Sequence, residues 1–151
     1  WICPLLAIDA DAFNHGGIDG DSLTLADAGP LLLTTTASLR QLNEWIPGSE
    51  SVEMARFRPN VVIDDVAEPF EEDLWRTIMI GSATFRFTEI CDRCVMTTLD
   101  PGTLEAGKEP LRTLATFRRD VTDPTNVNFG QNVINESKSG AVRVGDQLEV
   151  I

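Results

Sequence analysis

The chain has 151 residues, 12 of them basic and 24 acidic, for a formal net charge of −12 at pH 7. That surplus of negative charge excludes nucleic acid and anionic membrane surfaces as general partners, because both are held by positive surface. Hydrophobic residues make up 42%, which suits a single soluble domain able to bury about two thirds of its unfolded surface, and no run approaches the roughly 18 apolar residues of a membrane span.

In chain order, Trp1 to Leu6 leads into a glycine-rich stretch from Asn14 to Gly20, where the lone His15 reads as an exposed turn residue more simply than as a ligand. Asp27-Ala28-Gly29-Pro30 forms a turn into the short apolar strand Leu31-Leu32-Leu33. Thr35 or Thr36 caps a scaffold helix whose apolar stripe is Leu39, Leu42 and Trp45 or Ile46, ended by Pro47-Gly48. A strand over Asn60 to Ile63 follows. It places Arg58 and Asn60 on one face, since side chains alternate with period two, and if that face meets a ligand Arg56 shares it.

Pro69 to Asp73 is an acidic turn and Trp75 a packed anchor. The alternation in Arg76 to Ile80 and Ala83 to Phe87, broken by Gly81-Ser82, predicts a hairpin leading straight to Cys91-Asp92-Arg93-Cys94. Val95 to Leu99 is a β-branched run before the turn Asp100-Pro101-Gly102. A helix starts at Pro110, with Leu111, Leu114 and Phe117 as its buried stripe and Arg112, Arg118 and Arg119 as its wet face. Asn128 to Ile134 is extended, and Ala141 to Val144 with Gln147 to Ile151 form a closing hairpin across Gly145-Asp146. Many short strands and two helices predict a mainly β fold, a barrel.

Ten of the twelve cations are arginine, the residue whose planar fork grips phosphate or carboxylate with two bonds. Arg56, Arg58, Arg86 and Arg93 fall on or beside predicted strands, which points to a local anion site as readily as to solvated strand faces. Three cysteines are an odd number and do not make a disulfide framework, so a reducing compartment is expected, the cytoplasm. For Cys91-Asp92-Arg93-Cys94 three chemistries compete. A structural zinc site lacks a second ligand pair, since only Cys3 and His15 remain as soft ligands. A thioredoxin-like pair should open a helix, and both thiols could equally be small buried hydrophobes.

Arg56-Phe57-Arg58-Pro59-Asn60-Val61-Val62-Ile63, Pro69-Phe70-Glu71-Glu72-Asp73-Leu74-Trp75, Ile80-Gly81, Cys91-Asp92-Arg93-Cys94, Thr97-Thr98-Leu99-Asp100-Pro101, Glu109-Pro110-Leu111, Phe129-Gly130-Gln131 and Val144-Gly145-Asp146 occur in one order. That order resembles the MOSC domain, the molybdenum-cofactor-binding module of the amidoxime-reducing components, their bacterial relatives and the cofactor sulfurases. The resemblance places a MOSC-type β-barrel over residues 24–151. Residues 1–23 are left as an unassigned N-terminal segment, read as a remnant of a preceding β-rich domain.

The resemblance implies that a molybdenum cofactor (molybdopterin) is bound, with Cys94 as the metal ligand and the catalytic residue. It also implies that Arg58, Asn60 and Arg93 contact the pterin and its phosphate, joined by Arg56, by the turn at Asp27 and Ala28, and by Asp92, chiefly through its backbone amide. Cys91 has no implied role. The implied activity is reduction of N-hydroxylated substrates, fed by an electron-transfer protein or iron–sulfur domain, in what is expected to be a monomer. Pyridoxal phosphate binding belongs to the same family-level description. The alternative is a module that carries the molybdenum cofactor or sulfur without reductase activity of its own, and a barrel without cofactor is the plainest option.

Overall fold

The computed structural model describes residues 30–137 and 140–151. Asp27 and Ala28, together with Cys3, His15, Ser139 and the segment 1–23, lie outside the described residues.

Six strands, β1 (Leu31–Thr35), β2 (Val61–Ile63), β3 (Thr77–Ile80), β4 (Ala83–Asp92), β5 (Asn128–Asn135) and β6 (Leu148–Val150), form one sheet in the order β2-β1-β5-β4-β3-β6. β1 and β2 run parallel and every other pair is antiparallel. The fold is mainly β, as expected, and the sheet is curled. Its two edge strands, β2 and β6, line one cavity of about 890 Å³ floored by Leu31, Trp75, Ile80 and Phe85. One core fills the inside of the curl, from Leu31, Leu33, Trp75, Ile78, Phe85 and Val133. A second core joins Leu42, Ile46, Phe57, Leu114 and Phe129 where the helices pack.

β5 changes which core it serves partway along. Phe129 and Val133 should share a face by period two, yet they lie in different clusters. Gly130 explains the switch: its φ of +80° is a left-handed conformation, and it sits in a register shift between Ile90 and Asp92 of β4 and their partners Gln131 and Asn128. A bulge of this kind re-aims side chains and bends the strand. A Cβ at Gly130 would come within 2.8 Å of Thr34 Cγ2 and 2.9 Å of the Leu33 carbonyl oxygen, so only glycine fits.

The first helix, α1 (Thr36–Trp45), starts as the sequence predicts, with the Thr35 hydroxyl accepting from the Ser38 amide. Ile46 is extended because proline follows. The second, α2 (Leu111–Phe117), buries Leu114, but Phe117 is half-exposed and stacks on Trp45 at 4.5 Å.

The β-branched run Val95 to Thr98 is a 3₁₀ turn, because the Thr97 and Thr98 hydroxyls donate to the carbonyls of Cys94 (3.0 Å) and Val95 (2.7 Å) three residues back. Two expectations are corrected. Arg118 leaves the wet face, pairing with Asp73 at 2.5 Å over the Phe70 ring. The closing hairpin is absent among the described residues: β6 pairs with β3, while Asp146 holds residues 143–146 in a turn through the Arg143 amide.

Glu72 is fully buried in a short 3₁₀ turn, Glu71–Leu74, and joins that turn to α1. Its carboxyl accepts from the Ser38 hydroxyl at 2.7 Å and the Thr35 hydroxyl at 3.2 Å. Burial raises its pKa, opposed by those hydroxyls. The unfolded chain therefore releases this proton first as pH rises, so stability falls from the usual glutamate value near 4.5 upward, through the raised folded value. Glu72→Gln should match the parent protein in acid and exceed it in melting temperature at neutral pH. Thermal melts across pH check this, and a constant offset between the two curves would contradict it.

Candidate functional site

The Cys91–Cys94 segment is where β4 leaves the sheet. Cys91 is still on the strand and buried, while Cys94 is exposed and heads the 3₁₀ turn Val95–Thr98. The two thiols are thus chemically distinct. Burial pushes the Cys91 thiol up in pKa, against a smaller lowering by the Arg93 charge, and its Sγ donates to the Asp92 carbonyl at 3.5 Å. Cys94 keeps its sulfur in solvent while its carbonyl is held by the Thr97 amide at 3.2 Å and the Thr97 hydroxyl at 3.0 Å. No group of three or more His, Cys, Asp or Glu side chains among the described residues could hold a bare metal ion. A metal here needs ligands of its own.

Arg93 turns inward between the two thiols. Its amide donates to the Val127 carbonyl and its Nε to the Phe129 carbonyl, both at 2.8 Å. Its guanidinium carbon stands 5.5 Å from the centre of the Phe57 ring, which itself stacks on Phe129 at 4.1 Å. Burial disfavours the charge, with Cys91, Asp92 and Cys94 acting the other way. Arg93 Nη2 is sealed from solvent and has no hydrogen-bond partner among the described residues. A buried guanidinium nitrogen left unpaired is costly, and a hydrogen-bond acceptor is what it lacks.

Phe57 closes a 3₁₀ turn, Met54–Phe57, capped by Arg58 in the left-handed region at φ 53°. That conformation defeats the alternation expected of Arg56, Arg58 and Asn60, because neither arginine lies on the strand. Arg58 is exposed, and its side chain has no bonded partner among the described residues. Asn60 splices the loop onto β1: its Oδ1 accepts from the Leu32 amide at 2.8 Å and its amide donates to the Leu32 carbonyl at 2.9 Å. Its Nδ2 remains for another acceptor.

Arg56 faces elsewhere, donating from Nη1 to the Thr98 carbonyl at 3.1 Å and from Nη2 to the Asp100 carboxylate at 2.9 Å. Arg86 also leaves the expected anion group and pairs with Glu136 at 2.5 Å. Asp92 is exposed on the last rung of β4, opposite Asn128, so solvent can offset its charge. Of the expected site residues, Arg93 and Cys94 are consecutive just past β4, Arg93 lies over the Phe57 ring, and Arg58 follows Phe57 in the chain. The roles of Thr97 and Thr98 were missed, although hydroxyl residues three positions after Cys94 and Val95 are a readable signal for a closed turn. The large cavity is lined by Asn60 but by neither cysteine, and it reports the open side of the curl more than this site.

The contrast between the thiols is open to direct measurement. Brief iodoacetamide treatment of the native protein should carbamidomethylate Cys94 and leave Cys91 unmodified until denaturant is added, as peptide mass mapping would show. Equal labelling of both would contradict the burial of Cys91.

A family model described as the MOSC domain matches residues 20–149. Mitochondrial amidoxime-reducing component 1 of Homo sapiens is 33% identical over 139 residues, covering 87% of this chain and 40% of the relative. The Danio rerio protein of that name is 39% identical over 132 residues (85% and 39%), and mitochondrial amidoxime reducing component 2 of Macaca fascicularis is 40% identical over 130 residues (81% and 37%). The chain spans at most 40% of the length of these relatives. With a family model matched over most of its length and relatives up to 40% identical, this chain belongs to the MOSC domain family.

Proposed function

We propose that the chain is the molybdenum-cofactor-binding MOSC domain of an oxidoreductase acting on N-hydroxylated compounds. The observation that carries the reading is the sealed, unpaired Nη2 of Arg93 beside the exposed thiol of Cys94. A phosphorylated ligand with a sulfur-seeking metal needs both. The residues present fit it: Cys94 as thiolate ligand, Arg93 and Arg58 for the phosphate, and Asn60 Nδ2 for an acceptor on the pterin edge.

When bound, the cofactor supplies the two-electron chemistry needed to remove oxygen from an N-hydroxyl group. The chain's own residues prepare the place. Cys94 must shed its proton to ligate, and its exposure lets solvent take that proton. The Thr97 hydroxyl fixes the Cys94 carbonyl, so the sulfur is presented from a closed turn. Arg93 is aligned in advance by the Phe129 carbonyl and the Phe57 ring, which lowers the ordering cost of gripping an anion. Electrons would come from a separate electron-transfer protein or iron–sulfur domain. The amidoxime-reducing names of the relatives support the substrate class.

In the intact protein, Cys94→Ala should lower bound molybdenum and reduction of a model amidoxime by about tenfold to a hundredfold, whereas Cys91→Ala should retain most of both. Elemental analysis beside an amidoxime assay tests this. Metal and activity that survive Cys94→Ala would overturn the reading.

A further inference from the structure

The Arg56 guanidinium belongs by sequence with the anion-gripping arginines, yet the structure uses both ends of its fork on the protein. Its side chain is 15% exposed. Nη1 reaches the Thr98 carbonyl at 3.1 Å and Nη2 the Asp100 carboxylate at 2.9 Å, across 42 and 44 residues of chain. The Thr98 carbonyl also accepts from the Gly107 amide at 3.0 Å. Asp100 uses Oδ1 on the amides of Gly102 and Thr103, both at 2.9 Å, which leaves Oδ2 for Arg56.

Two turns are tied together by these bonds. One, Met54–Phe57, ends in Arg58 and carries Phe57, the ring against Arg93. The other, Val95–Thr98, begins after Cys94, and its Thr97 and Thr98 hydroxyls reach back to the Cys94 and Val95 carbonyls. A bonded path therefore runs from Arg56 to the backbone of the candidate metal ligand. We propose that Arg56 is a positioning residue: with Asp100 it forms a brace that fixes the Cys94 turn relative to Arg58 and Arg93, and it does not itself grip the cofactor. This deepens the molybdenum-binding reading and rests on it for the identity of the ligand.

The brace and direct contact with an anion make opposite predictions for Asp100. Asparagine at that position can keep Oδ1 on the turn amides while removing the charge that holds Arg56. If Arg56 braces the turn, Arg56→Gln and Asp100→Asn in the intact protein each speed molybdenum loss about fivefold, and the double variant loses it no faster than either single one. If Arg56 grips the cofactor, Arg56→Gln alone is damaging while Asp100→Asn holds molybdenum as the parent does, and the proposal falls.

A metal-free readout separates this from failure of the functional reading. In apo protein, hydrogen exchange at the Thr97 and Leu99 amides, bonded to Cys94 and Met96 carbonyls, should accelerate about fivefold in both single variants, with exchange at Val133 in the core unchanged. If the parent holds no molybdenum, the cofactor reading fails and this exchange pattern still decides the brace. Unaltered exchange at Thr97 and Leu99 in both variants would sink it.

Discussion

A guanidinium cannot give up its proton in a protein, so an arginine turned inward obliges the surrounding chain to supply acceptors. Arg93 imposes that demand on the junction of the fold. Its Nε takes the Phe129 carbonyl, its amide takes the Val127 carbonyl, and the Phe57 ring covers its plane. Those contacts join the end of β4, the approach to β5 and the turn before β2. One nitrogen is left over. A buried unpaired polar group costs about 1–3 kcal/mol, so the folded chain carries a local instability at this nitrogen.

The bulges beside Arg93 make the geometry attainable. β4 and β5 slip register between Phe87 and Glu89 and again between Ile90 and Asp92. At the second slip Gly130 lets β5 send Phe129 to the helical core and Val133 to the inside of the curl. Without that change of face, Phe129 could not stack on Phe57 and the wall behind the guanidinium would be missing. The site therefore depends on a backbone conformation open to glycine, on a strand remote in sequence from Cys94 and Arg58.

Much of this was legible in the sequence because it is written in local terms. The Thr35 cap, the Pro47 stop, the Gly81-Ser82 hairpin and the buried Trp75 follow from turn chemistry and alternation. The order of short motifs was enough for the MOSC family. What escaped depends on partners distant in sequence or on a period misread. Arg118 was assigned to solvent because helix periodicity cannot show Asp73 waiting 45 residues earlier. Arg56 was grouped with Arg58 because a 3₁₀ turn ending in a left-handed residue leaves no alternation to read. The run Val95 to Thr98 shows in sequence only as β-branched, yet its threonine hydroxyls, bonded backwards, close a 3₁₀ turn.

The distribution of charge turns these details into an argument about binding. Carboxylates outnumber basic groups two to one, so an arginine lacking an acidic partner is not short of candidates. Arg56 is matched by Asp100, Arg86 by Glu136, Arg112 by Glu109 and Arg118 by Asp73. Arg58 and Arg93 have no carboxylate partner among the described residues, and Asp92 between the two thiols is exposed. At physiological salt, exposed charges more than about 8 Å apart are largely screened, so the acidity of the whole chain does little to offset the charge of either arginine. Arg93, with one sealed nitrogen still to bond, and the exposed Arg58 therefore stand apart from the four arginines that carboxylates match.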